Sequence, residues 1–380
     1  MSPATLVAAG SSATVAWITS TGAGTSHERY EIYAQHCSFS GECMDYPARL
    51  VASWPSTARV MTENANLPPA VWPRPALASS GSSSVLVFDS FGAPEQQMMW
   101  AQGSAGSVFG PVHSFGVGGD WDPVAVSEPD GRVFAAWFEG TGSDRDARYS
   151  SSVRIAYAQY TPGHGFGAVH TTAAGNGSTC TELAAAPTSS GVTLAWLQGN
   201  TPYGTGTQFA DPVWTLKVHD DHASPAKIAY ARASTFSLAG GGEVVALAPW
   251  YRGNGPNPAL VQTSIDGQPF STPLELDPNA GPPEVGVDSN GDVLATWFAG
   301  PSTTSTNSGE ELAIAASGAA FSAPVELTLP IAPAFTASAL DGTPAAHLET
   351  VGSRSLITSM SGYPPLQQGQ PTIYGVIVNS

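Results

Sequence analysis

Arginine, aromatic and carboxylate side chains gather at a few points along this chain. The longest such stretch is Glu139-Gly-Thr-Gly-Ser-Asp144-Arg145-Asp146-Ala-Arg148-Tyr149. Others are His27-Glu28-Arg29-Tyr30, Trp72-Pro73-Arg74, Asp120-Trp121-Asp122, Thr181-Glu182, the run holding Tyr203, Phe209 and Asp211, and Tyr251-Arg252. Such mixed sets suit a sugar: its ring stacks on aromatic faces, while Arg and Asp take hydroxyls or carboxylates. Arg29, Trp72, Arg74, Asp120, Trp121, Arg145, Arg148, Tyr203 and Arg252 are accordingly the candidate ligand-binding residues. Asp122, Glu139, Tyr149 and Tyr251 are the candidate catalytic ones. Two carboxylates drawn from Asp122, Glu139 and Glu182 would serve glycoside hydrolysis. Tyr149 or Tyr251, beside Arg148, Arg252 or Arg74, would serve a polysaccharide lyase as base and uronate neutraliser. The structural alternative is solvated loops with local ion pairs, Asp144/Arg145 and Asp146/Arg148, which contribute little to stability.

Other reactive types point elsewhere. No nucleophile elbow is present. Asp288-Ser-Asn290-Gly291-Asp292 resembles the start of a calcium loop, but its setting reads as a tight hairpin turn. His219-Asp-Asp-His222 falls on a turn, and neither CxxC nor paired His/Cys spacing supports zinc. No metal or cofactor is therefore expected. His113 and His170 follow matching Phe-Gly-x-Val sequences, so repetition accounts for them. Cys37 and Cys43 flank Ser-Phe-Ser-Gly-Glu, a segment able to close a small disulfide loop, with two free thiols as the alternative. A bridge implies an oxidising compartment, secreted or periplasmic. Cys180 is left over and reads as buried and inert. Met1-Ser2-Pro3 leads almost directly into strand-like sequence, as in a mature domain carrying an added Met or in a cytoplasmic protein; the cysteine pair and the composition favour the former.

The elements that must position these residues are strands. Among 380 residues, 41 are Gly and 32 are Pro, and only 11% are charged. That composition favours many short strands and turns over long helices. Net charge is −17, and an acidic surface repels phosphate backbones, so nucleic acid is not an expected partner. No run approaches the ~18 apolar residues of a membrane-spanning helix.

Two segments state the repeat. Asp122-Pro-Val-Ala-Val-Ser-Glu-Pro-Asp-Gly131-Arg-Val-Phe-Ala-Ala-Trp137 and Pro283-Glu-Val-Gly-Val-Asp-Ser-Asn-Gly291-Asp-Val-Leu-Ala-Thr-Trp297 each hold an alternating strand, a Gly turn and a second strand ending in Trp. Weaker copies put the anchor at Trp17, Phe88, Trp196, Trp250 and His347, with a mean step of 55 residues. A second half repeats too: Phe109-Gly-Pro-Val-His113 matches Phe166-Gly-Ala-Val-His170, and Phe270-Ser-Thr-Pro-Leu-Glu275 matches Phe321-Ser-Ala-Pro-Val-Glu326. A step of this length fits one four-stranded propeller blade. The reading is an all-β, seven-bladed β-propeller of four-stranded antiparallel blades in one domain, 1–380. The blades run 1–66, 67–118, 119–176, 177–233, 234–281, 282–332 and 333–380. The large rings fill the gaps between neighbouring blades.

These units resemble the degenerate repeats of bacterial secreted propellers in the broad sialidase-like (Asp-box-like) group. The shared features are a Pro-x-Val-Ala-x-Asp-x-x-Gly strand pair ending in Trp, then a Gly-x-Phe-Gly-x-Pro strand. Ser264-Ile-Asp266-Gly267-Gln-Pro-Phe270 sits where that group carries its structural Asp box, one residue short. The resemblance implies the fold and stops there. Trp72-Pro73-Arg74-Pro75 departs from the sialidase arginine motif, and sialidases have six blades.

Three functions stay open. The loops differ from blade to blade, which favours one asymmetric site over a repeated lectin pocket. A monomer that binds carbohydrate or polysaccharide without cleaving it is the first reading. A polysaccharide-cleaving enzyme, hydrolase or lyase, is the second, and a protein-interaction scaffold the third.

Overall fold

A computed structural model describes residues 5–9, 12–22, 27–38, 48–55, 75–90, 93, 96–104, 109–118, 120–140, 152–176, 179–199, 211–219, 222–223, 227–251, 257–299, 310–327, 346–351, 354–361 and 372–379. Among them there is no helix, and the strands form seven antiparallel sheets that follow one another along the chain.

Sheet 1 holds β1 (Thr5–Ala9), β2 (Ser12–Thr21), β3 (Arg29–Ser38) and β4 (Arg49–Pro55). Sheet 2 holds β5 (Ala76–Ser80), β6 (Ser83–Asp89), β7 (Gln97–Ser104) and β8 (His113–Gly118). Sheet 3 holds β9 (Asp120–Ser127), β10 (Val133–Gly140), β11 (Ser152–Thr161), β12 (Gly165–Phe166) and β13 (His170–Asn176). Sheet 4 holds β14 (Thr179–Thr188), β15 (Gly191–Gly199), β16 (Asp211–His219), β17 (His222–Ala223) and β18 (Lys227–Ala233). Sheet 5 holds β19 (Thr235–Gly241), β20 (Val244–Trp250), β21 (Ala259–Ile265) and β22 (Leu274–Asp277). Sheet 6 holds β23 (Glu284–Val287), β24 (Val293–Phe298), β25 (Glu310–Ala315) and β26 (Val325–Leu327). Sheet 7 holds β27 (Ala346–Val351), β28 (Arg354–Ser361) and β29 (Thr372–Asn379).

Each sheet is an up-and-down meander. The five-stranded sheets keep that plan, because β12 and β13 both pair with β11, while β17 and β18 both pair with β16. Their outer position is one strand in two pieces.

Local chemistry explains the repeat. The two clearest hairpins turn identically: Glu128 N–H bonds Arg132 O and Gly131 N–H bonds Glu128 O, as Asp288 N–H bonds Asp292 O and Gly291 N–H bonds Asp288 O. Gly131 and Gly291 both sit at φ 86°, where a side chain would be strained. Asp288 supports its own turn, its Oδ1 accepting from the amides of Asn290 and Asp292 at 2.8 Å each. This use of the carboxylate is that of a turn, the reading its sequence favoured. The Phe-led segments dock alike as well. Gly110, Gly167, Ser271 and Ser322 donate their amides to Gln102, Gln159, Thr263 and Ile314, each bond spanning eight residues.

The chain divides into two compact units: 1–185 with 200–202, and 186–199 with 203–380. The boundary runs through sheet 4. In the first unit, β1, β5 and β9 lie side by side. Ile18, Tyr30, Ile32 and Trp54 of sheet 1 pack on Leu77, Leu86 and Phe88 of sheet 2. The other face of sheet 2, with Val85, Val87 and Met98, packs on Ala135, Trp137, Ala158 and Tyr160 of sheet 3. In the second unit β19, β23 and β27 are neighbours in the same way. Sheets 5 and 6 share the cluster of Val244, Ala246, Val261, Val285, Ala295 and Trp297, and sheets 6 and 7 share Leu294, Leu312, Leu348 and Ile357.

The anchor aromatics are buried as expected of seam fillers: Phe88 is 1% exposed, Trp137 2%, Trp196 0%, Trp250 3% and Trp297 1%. Trp17 is partly buried. One anchor is corrected. His347 lies on β27, the strand that packs on β23, and so holds a first-strand position instead of closing the second strand. The alternating hairpin from Ala346 to Ser361 turns after Val351, and β27 pairs with β28 from Ala346↔Ser359 to Val351↔Arg354. The earlier segment from Phe335, read as that sheet's first strand, lies outside the described residues.

Candidate functional site

In a meander, the start of the first strand, the end of the second and the start of the third meet at one end of the sheet. The described candidate residues lie there. Sheet 3 brings together Asp120, Trp121 and Asp122 at the start of β9 with Glu139 near the end of β10. Asp120 is paired opposite Glu139, and Trp121 opposite Phe138. The register shifts between Ala136 and Phe138, and Asp122 sits beside that shift with φ 52°. A bulge of this kind re-aims a side chain at a strand end. Glu182, near the start of β14, has φ 53°, so the first unit holds two carboxylates on left-handed backbone at corresponding strand starts.

Alternation places further carboxylates at the same end. Along β6, Val85 and Val87 face sheet 3, and Asp89 continues that row. Along β10, Val133, Ala135 and Trp137 face sheet 2, and Glu139 continues theirs. The seam of sheets 2 and 3 thus ends in two carboxyl groups. Asp89 is 1% exposed and accepts from Gln96 Nε2 at 3.2 Å. Glu139 keeps one buried oxygen, Oε2, without a hydrogen-bond partner. Glu28 precedes Tyr30 and Ile32 on the face of sheet 1 that meets sheet 2, and is 1% exposed. Sheet 6 repeats the arrangement with Glu284 at the start of β23 and Glu310 at the start of β25. Sequence reasoning passed over Asp89, Glu284 and Glu310. The available signal was a carboxylate closing an apolar alternating row, as in Val85-Leu-Val-Phe-Asp89.

The remaining candidates fall as follows. Arg29 is exposed at the start of β3, its Nε donating to Ser53 Oγ at 3.1 Å. Trp121 is 1% exposed, with its ring 5.6 Å from that of Phe138. Its ring therefore offers no open face for stacking, and its Nε1–H is buried without a partner. Tyr251 directly follows β20 and is partly exposed. Trp72, Arg74, Arg145, Arg148, Tyr149, Tyr203 and Arg252 lie outside the described residues, as does Cys43. Cys37 lies on β3 opposite Ala13, and Cys180 is a buried free thiol.

The histidines are accounted for by structure. His113 stacks on Trp100 with ring centroids 4.5 Å apart, and His170 on Tyr157 at 5.6 Å, both at the start of an outer strand. His219 and His222 are paired in the register of β16 and β17, and His219 Nδ1 lies 3.1 Å from Ser190 O. Among the described residues no group of acidic, histidine and cysteine side chains could hold a metal. The shortened Asp box is a turn between β21 and β22: Ser264 Oγ donates to Gln268 O at 2.5 Å, and Asp266 has φ 52°.

No family model and no curated protein sequence matches this chain. Solved structures do. The polysaccharide lyase Uly1 is similar over 98% of this chain and 89% of its own, with 9% identity and a TM-score of 0.56. An ulvan lyase of polysaccharide lyase family PL25, bound to a glucuronate–rhamnose sulfate unit, is similar over 90% of this chain and 82% of its own, with 10% identity and a TM-score of 0.53. A puromycin-hydrolysing peptidase of Mycobacterium tuberculosis is matched at 14% identity and a TM-score of 0.51, over 98% of this chain and 51% of that one. Sialidases are matched as well, and the chain spans 62% of the Hadza microbial enzyme Hz136 and 52% of the Trypanosoma rangeli enzyme. At identities this low the likeness shows a shared fold alone.

Proposed function

We propose that the seven sheets are the blades of one seven-bladed propeller, and that the protein binds a polysaccharide at the end where the first strands begin. The observation that carries this reading is the carboxylate set of the first unit: the partly exposed Asp122, Glu139 and Glu182 stand at that end of their sheets, where Glu28 and Asp89 are buried. Carboxylates accept hydrogen bonds from sugar hydroxyls, and such charge-assisted bonds are strong. Two of them stand on backbone conformations that cost energy to hold, a feature of binding and catalytic positions. Arg74, Arg145 and Arg148, which adjoin these strand ends in the sequence, would supply the opposite charge. Fold similarity to two polysaccharide lyases over most of their length supports a carbohydrate ligand.

Affinity electrophoresis of the whole chain through neutral and uronate-containing polysaccharide gels tests this. Retardation by at least one polysaccharide, lost in Glu139→Gln and Asp122→Asn, is the expected result. Migration unaffected by every polysaccharide overturns it. Release of unsaturated, ultraviolet-absorbing ends or of reducing ends in the same mixtures would move the reading from binding to cleavage. We place the protein in an oxidising compartment, with Cys37 and Cys43 bridged. Thiol alkylation before and after reduction, read by mass spectrometry, is expected to label one cysteine and then three.

A further inference from the structure

Glu310 is an unusual side chain to bury. It opens β25, opposite Phe298 on β24 and Leu327 on β26, and is 2% exposed. Alternation along β25 puts it in the row of Leu312, which packs against Leu348 and Ile357 of sheet 7. Glu284, two strands away, is close enough to act on it electrostatically. Glu284 itself reaches across the seam: its Oε2 accepts the amide of Leu348 on β27 at 2.7 Å. Two carboxyl groups thus stand at the junction of sheets 6 and 7, and one of them ties the sheets together.

On sheets 5 and 6 the charged neighbours are acidic. Glu311 adjoins Glu310 on β25, with Glu326 opposite it on β26 and Asp277 acting on it from sheet 5. Sheet 7 adds His347 and Glu349 on β27 and Arg354 on β28. Burial first, then the charge of Glu284, pushes the Glu310 carboxyl up to about 8, and the Thr296 hydroxyl offsets this only in part. At neutral pH Glu310 is therefore a neutral acid. So deeply enclosed a group is closed to a ligand, so its proton serves the packing.

We propose that buried Glu310 keeps a proton beside Glu284 at the seam of sheets 6 and 7, and that its loss to solvent at alkaline pH loosens sheet 7 from sheet 6. With the proton present, Glu284 keeps the Leu348 amide. Without it, a buried carboxylate and a partly buried one repel, and the bond to Leu348 is the contact that can give way.

The sign of the pH dependence follows. In the unfolded chain Glu310 titrates near 4.5, and in the folded one near 8. Between these values the folded state binds more protons, so stability falls as pH rises and levels off above about 8. Thermal melting of the whole chain from pH 4 to pH 9 reads this directly. Glu310→Gln, which keeps shape and neutrality, is expected to remove one proton's worth of that slope. Glu284→Gln should reduce it less, since burial of Glu310 remains. Hydrogen exchange localises the effect: protection of residues 346–361, corrected for intrinsic rate, should drop between pH 6.5 and 8.5 in the wild type and stay constant in Glu310→Gln. An unchanged slope in Glu310→Gln, or a loss of protection there equal to the wild type's, overturns the proposal. Should that variant fail to fold, infrared titration of the wild type decides: a carboxylic-acid carbonyl band must persist through neutrality and vanish near pH 8, and its absence at pH 7 overturns the proposal equally. Polysaccharide retardation depends on other residues, so the two ideas fail separately.

Discussion

At the scale of single residues, Asp122 separates stability from recognition. Its positive φ is tolerated by Asp and Asn, easy for Gly and strained for Ala. Asp122→Ala should therefore lower stability by about 1 kcal/mol, whereas Asp122→Gly should leave melting unchanged or slightly raised. Both should weaken polysaccharide binding about tenfold or more, since a hydrogen bond to a charged group contributes roughly 1.5–3 kcal/mol. Parallel melting and gel-retardation measurements check this. Binding that tracks stability across the pair would make Asp122 a structural residue only. Trp297 is a different case. It is 1% exposed, and its Nε1 donates to Asp277 Oδ2 at 3.2 Å, linking sheet 6 to sheet 5. Trp297→Phe loses the bond, and Trp297→Ala also leaves a cavity, so losses of about 1–2 and 3–5 kcal/mol are expected in denaturant melts.

At the scale of elements, the first strands of the second unit approach so closely that side chains are excluded. A Cβ on Gly241 of β19 would collide with the backbone carbonyl of Asp288 just past β23. Neither backbone can yield without breaking its own hairpin. Gly241→Ala should accordingly destabilise by about 1–3 kcal/mol and raise exchange in β19 and β23 together. Gly81→Ala offers the contrast, because its Cβ would meet nothing and only its φ of 59° is strained. It should cost about 1 kcal/mol and leave the packing of sheets 1 and 2 unaltered.

For the whole molecule, closure of the seven proposed blades into one body has a hydrodynamic consequence. A single compact chain of this length has a radius of gyration of about 21 Å. Small-angle scattering should return that value. A clearly larger one, with two resolved bodies, would sink the closed ring while leaving each unit's sheets intact. The charge of −17 adds a second expectation: binding to DNA should be undetectable at any salt concentration, because an acidic surface repels phosphates and has few cations to neutralise them.

Local order was legible from the residues alone. Gly131 and Gly291 followed six residues later by Trp announced hairpins, because a left-handed turn needs Gly and a seam needs a large ring, and both are properties of short windows. The Phe-led outer segments were legible for the same reason. His347 was misplaced because Gly342 and the residues after Val351 both allow a turn, and only packing on β23 selects the second. Glu139 was legible as a candidate, but the burial of the carboxylates at the seam ends lay beyond sequence reading. Asp89 and Glu310 are ordinary residues at strand ends until sheets stacked face to face strip them of water, while Glu139 and Glu284 beside them stay partly exposed. Burial depends on what the neighbouring sheet contributes, so tertiary structure alone decided which acid keeps its proton.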